Sequence, residues 1–287
     1  MTRYALTVVD EGNYRDHLDK IALLFGLTEE DIRLEPGLPF DRADVGRVTG
    51  EAYALYEREL GAGAGAVELW VFAGALARPI LRDLPCQGLT LMEGDGVVSV
   101  LVSGEGPEIL GRLFVHEWCH ARRLTWAGLK SQAAYVRYLA DPVAWLYEET
   151  LAIATERRLF PHLSWEEAAG FAYNPRFRNW AAEGFLPARE LLARTRRGAG
   201  GKAVAAGAAG EEAVAAGAGE AVAASEAVAA MLERRAKEGG PAAFIYYLAY
   251  GLARAAGADR RLAELMNLGP ADGLDRLFDQ ARKGAKS

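Results

Sequence analysis

Leu113-Phe-Val-His116-Glu117-Trp118-Cys119-His120-Ala-Arg-Arg-Leu124 is the stretch on which the reading of this chain turns. Histidines four residues apart lie on one face of a helix, where two imidazoles are close enough to donate to a single Zn²⁺. Glu117, one residue after the first histidine, is placed to reach a metal-bound water as its general base rather than the metal itself. Cys119 stands between the histidines but points partly away from their shared face, which predicts a core role for it. The chain has 287 residues and only 4 histidines, so two of them in one such motif is informative.

Working outward, the helical period begins at Pro107 and carries Ile109, Leu113, His116 and His120 at steps of three and four. Upstream, the first hundred residues mix strand and helix signals. Residues 4–9 (YALTVV) and 66–74 (AVELWVFAG) read as strands, and 13–27 and 46–60 as helices. Residues 88–102 read as a hairpin turning at Gly94-Asp95-Gly96. Downstream, Asp141-Pro142 is a helix start, with an N-cap side chain followed by proline at the first helical position, and the helix runs on to Pro161. The prediction is an α+β fold, with a small mixed sheet in residues 1–106 and a metal-binding helical part in 107–196. Residues 197–230, rich in Ala and Gly, read as a linker that turns helical near Ser225 and stays so to about Lys237. Residues 231–287 end in two helices near 242–256 and 258–284.

Composition narrows the partners. A formal net charge of -6 and a pI near 5.4 provide no basic field to draw the chain to nucleic acid or to an anionic membrane. No stretch reaches the roughly 18 to 20 uninterrupted apolar residues of a membrane span. The start lacks the apolar core of a signal peptide, and two cysteines, Cys86 and Cys119, do not make a disulfide framework. These features predict a cytoplasmic protein.

Two histidines leave a third ligand to be found, and three acidic residues downstream compete for the role: Asp141, Glu148 and Glu149. Asp141 is better explained as the N-cap before Pro142. On the helix, Trp145, Glu149, Ala152 and Glu156 form one stripe at steps of four, three and four, and Glu148 lies about a hundred degrees around from it.

At these residues the chain resembles the gluzincin group of zinc peptidases. His-Glu-Trp-Cys-His followed by Glu149-Thr-Leu-Ala152-Ile-Ala-Thr-Glu156 is similar to that group's HExxH and E-G-L-A-x-x-x-E pair, with Thr150 where the pattern often has Gly. The resemblance covers roughly residues 107–160. Arg123 and Trp126 stand where the metzincin pattern has Gly and His, which removes that class.

The resemblance implies a zincin-like fold with Zn²⁺ held by His116, His120 and Glu149, and Ala152 packed beneath the metal. Glu156, further along the same stripe, is a candidate acceptor from a ligating histidine, with a solvated or Arg-paired glutamate as the alternative reading. The implied activity is peptide-bond hydrolysis by a water that Glu117 activates, so a peptide or protein is the expected substrate. Members of the group commonly add a Tyr or His donor for the oxyanion, for which Tyr246 and Tyr250, on one face of a late helix, and His162 are the choices here. Zincins also tend to bind substrate along a sheet edge, which makes Leu89–Glu93 or Val97–Val102 the expected edge strand. Tyr173, Arg176 and Arg178 are further substrate contacts to consider. The rival readings are a catalytically silent zincin-like binding or regulatory module, and a helical structural protein whose motif is accidental.

Overall fold

The structure is a computed structural model that describes residues 4–36, 41–61, 65–83, 87–94, 96–103, 106–165 and 241–284. The fold is α+β: a four-stranded mixed sheet comes first and helices follow. The described residues fall into two compact units, one within Met1–Val136 with Leu159–Pro161, the other within Arg137–Arg158 with His162–Ser287.

The first unit is built on strands β1 (Tyr4–Val9), β2 (Val67–Ala73), β3 (Gly88–Glu93) and β4 (Gly96–Ser103), in the order β1-β2-β4-β3. β1, β2 and β4 are parallel, and β3 runs antiparallel to β4 at one edge. The hairpin is as the sequence predicts, and Gly94 turns it with a φ of 59° that side chains other than glycine rarely adopt. β4 is therefore an interior strand, and of the two expected edge strands only Leu89–Glu93 lies at an edge. Its run Val97–Ser103 is buried throughout, because helices cover both faces of a largely parallel sheet.

One face carries Val9, Phe72, Val98, Val100 and Val102, packed with Ile21 of α1 (Leu18–Phe25) and Ile80 of α3 (Ala77–Asp83). The predicted first helix opens with a 3₁₀ turn at Tyr14–His17 and stops at Phe25, where Gly26 adopts a left-handed cap. On the other face lie α2 (Arg42–Leu60), capped by Asp41, and α4 (Pro107–Trp126). α5 (Gln132–Ala140) follows. Neither α3 nor α5 is anticipated by the sequence periodicity.

The second unit contains α6 (Pro142–Leu159) up to Arg158, α7 (Pro241–Ala256), the single-turn α8 (Leu262–Leu265) and α9 (Pro270–Gly284). Val143 N–H donates to Asp141 Oδ1 at 2.9 Å, the predicted N-cap. The expected single helix over 258–284 is broken. A 3₁₀ turn at Ala258–Arg261 leads into α8, and Gly269-Pro270 separates α8 from α9, since proline lacks the N–H a continuous helix needs. α6 meets this part of the chain through Tyr147, whose hydroxyl donates to the Leu265 carbonyl at 2.5 Å and whose ring lies against Gly273. The 197–230 linker and its helical continuation lie outside the described residues.

Candidate metal centre

The rotation of α4 about its axis is set by aromatic packing. Phe114 and Trp118, one turn apart, stack at 5.3 Å between centroids, and Tyr4 and Tyr53 close on them at 5.3–5.7 Å. Arg122 ties the far end of the helix to α2 by donating to the Leu60 carbonyl at 2.5 Å. At about 100° per residue, fixing Phe114 and Trp118 on one side turns His116 and His120 to the opposite side. Glu117 falls between, on the side of β3.

The two imidazoles then meet. His116 Nε2 and His120 Nε2 are 3.2 Å apart, with the rings inclined at 74°. Two nitrogens each about 2.05 Å from one ion at a tetrahedral angle sit roughly 3.3 Å apart, so this pair has the spacing that shared coordination requires. One ligand atom from each of His116, His120 and Glu149 lies within 4.8 Å of the others. His116 is buried and Glu149 keeps some exposure. Two imidazole nitrogens and one carboxylate oxygen form a group able to bind a metal ion.

The competing carboxylates have other work. Asp141 caps α6, and Glu148 is buried and accepts from the Tyr138 hydroxyl at 2.5 Å. Glu149 Oε1 accepts from Trp145 Nε1 at 3.3 Å, one turn earlier on the same stripe of α6. Further along that stripe, Ala152 is fully buried and Glu156 buried.

Glu117 is 5 % exposed and is held from the sheet. Thr90 on β3 donates to Glu117 Oε2 at 2.7 Å, and its hydroxyl is 3.2 Å from that of Ser99 on β4. Two residues away on the same face of β3, Gly88 leaves room for the carboxylate: a Cβ there would be 2.4 Å from Glu117 Oε1. Sequence reading misses Gly88, Thr90 and Ser99. The only trace of them is a small and a hydroxyl residue alternating on a strand, and nothing in the sequence says that this strand faces Glu117.

The other sequence-derived residues take these places. Cys119 is fully buried, in keeping with a core role. Tyr246 and Tyr250 lie on α7, where the Tyr250 hydroxyl accepts from Arg254 Nη1 at 3.0 Å. His162 follows the end of α6. On β3, Met92 N–H donates to Gln132 Oε1 at 2.9 Å, and Glu93 is paired with Lys20. Tyr173, Arg176 and Arg178 lie outside the described residues.

Among the described residues, no helix is long and apolar enough to cross a membrane. Comparison with family models, curated proteins and solved structures finds no match.

Proposed function

We propose that this chain is a zinc-dependent peptidase in which His116, His120 and Glu149 hold the metal and Glu117 is the general base. The observation that carries the reading is the grouping of the three donor atoms within 4.8 Å, with a buried carboxylate on the residue next to the first ligand. Nitrogen and oxygen donors in this number suit Zn²⁺ with one coordination position left open. When bound, zinc supplies Lewis acidity, which makes water more acidic and polarises a carbonyl oxygen.

The remaining work falls to the chain. Glu117 takes a proton from the attacking water as the new C–O bond forms at the peptide carbonyl. It then delivers that proton to the amide nitrogen as the C–N bond breaks, so that one water is consumed and a carboxylic acid and an amine are released. Tyr246 and Tyr250 are the proposed donors to the oxyanion. The proposed substrate is a peptide or protein, and the proposed setting is the cytoplasm.

The test is hydrolysis of a broad library of internally quenched peptides by zinc-loaded protein. Cleavage that a chelator abolishes, that added Zn²⁺ restores and that Glu117→Gln eliminates is the expected result. Full cleavage by Glu117→Gln refutes the role of Glu117. One bound zinc without turnover of any peptide refutes the peptidase activity and favours a silent binding module.

A further inference from the structure

A carboxylate that must take a proton in one direction and release it in another works only if its plane is held still, and β3 and β4 contain the parts for this. Thr90 and Ser99 are directly opposed across the two strands. Val102 N–H donates to the Gln87 carbonyl, which makes that pair hydrogen-bonded and, by alternation, makes Thr90–Ser99 one of the pairs whose side chains lie closest. Both residues are buried, at 2 % and 1 % exposed, on the face covered by α4. The Thr90 hydroxyl has a single proton and two oxygens of Glu117 within reach: Oε2 at 2.7 Å and the main-chain carbonyl at 3.1 Å. The nearer oxygen takes the proton, since 2.7 Å is the usual distance for a hydroxyl donor and 3.1 Å is long for one. The Ser99 hydroxyl, 3.2 Å away, is then the donor to Thr90 Oγ1. The chain of bonds runs one way, from Ser99 through Thr90 to Glu117 Oε2.

We propose that Thr90, backed by Ser99, is a positioning residue for Glu117, fixing the carboxylate plane by a hydroxyl pair anchored in the sheet. This rests on the reading of Glu117 as general base. A threonine suits the task because its branched Cβ limits χ1 and holds the hydroxyl in place on a strand. Gly88 completes the arrangement by clearing the other oxygen's position.

The test uses the full chain, and zinc content is measured first; wild-type protein that takes up no zinc overturns the peptidase reading and this inference with it. Zinc-loaded protein is then titrated with acetohydroxamic acid, a metal ligand whose hydroxyl group hydrogen-bonds to a neighbouring carboxylate as it binds. Thr90→Val keeps the side-chain shape and removes the donor. It is expected to weaken hydroxamate binding and lower kcat by about tenfold or more, as misplacement of a catalytic group does, with KM and zinc content unchanged. Thr90→Ser is expected to restore both to within about twofold of wild type by keeping the hydroxyl.

Hydroxamate binding by Thr90→Val equal to that of wild type overturns the proposal even if no peptide substrate is found. So does a Thr90→Ser variant as weak as Thr90→Val, since shape rather than the hydroxyl would then matter. Should Thr90→Val fail to fold, Ser99→Ala carries the test. About a threefold loss of hydroxamate affinity supports the relay, and no loss refutes it.

Discussion

Gly88→Ala is the substitution whose effect follows most directly from the geometry. The new methyl carbon would lie 2.4 Å from Glu117 Oε1 and 2.9 Å from its Cδ and Cγ, whereas an ordinary contact begins at 3.4 Å. The carboxylate or the strand must therefore give by about 1 Å, the difference between the first and last of those distances. Glu117 cannot simply swing away, because Thr90 holds Oε2 at 2.7 Å. Overpacking of this kind costs about 1 to 3 kcal/mol, and a misplacement of about 1 Å in a catalytic group lowers the rate by about a hundredfold. Urea denaturation should show the midpoint falling with an unchanged slope, and peptide turnover should fall while one zinc stays bound. A Gly88→Ala protein of wild-type stability and activity would refute the placement of Glu117 against β3.

Four further outcomes are expected. Trp145→Phe keeps the ring bulk and removes the N–H that reaches Glu149 Oε1, so zinc affinity measured against a competing chelator should fall by about ten- to a hundredfold; unchanged affinity would remove Trp145 from the site. Zinc at about a thousand times its dissociation constant should raise unfolding free energy by about 4 kcal/mol, and a Glu149→Ala protein should show much less of this gain in the same denaturation assay. Gly273→Ala places a carbon 2.1–2.3 Å from the Tyr147 ring and hydroxyl, and should lower the thermal midpoint more than an alanine substitution at exposed Asn267 does. At Asp10, the hydrogen-bonded Arg42 guanidinium holds the carboxyl below its ordinary range. The contribution of this pair is therefore present above the unfolded carboxylate value of about 3.9 and disappears as pH falls through the lower folded value. Asp10→Asn should flatten that part of the stability profile measured by denaturation.

What could be read in advance and what could not divides along physical lines. Elements with a strong local period announce themselves: β1, β2, the hairpin of β3 and β4, and α4 are close to where the residue pattern puts them, and Asp141-Pro142 starts α6 as its cap chemistry requires. Short helices do not, because α3 contains Pro79 and α5 is only nine residues long, too little for a period to stand out. The break before α9 falls at Gly269-Pro270, where proline lacks the N–H that a continuous helix needs.

At the site, the spacing of His116 and His120 needs nothing beyond a helix. Which carboxylate joins the histidines is harder to read, since Asp141, Glu148 and Glu149 are equally acidic and the outcome depends on what each touches: a backbone N–H for Asp141, the Tyr138 hydroxyl for Glu148, and the neighbourhood of the histidines for Glu149. Thr90, Ser99 and Gly88 act on Glu117 through the packing of a helix on a strand pair, a register that no single segment encodes.

The central claim is that three side chains from this chain hold one zinc ion. Metal analysis of protein equilibrated with zinc and freed of excess tests it directly, in the wild type and in His116→Ala, His120→Ala and Glu149→Ala proteins that retain their fold by circular dichroism. One zinc per wild-type chain, with greatly weakened binding in each variant, is the predicted result. A wild-type chain without zinc, or a Glu149→Ala protein that keeps its zinc at wild-type affinity, would contradict the account.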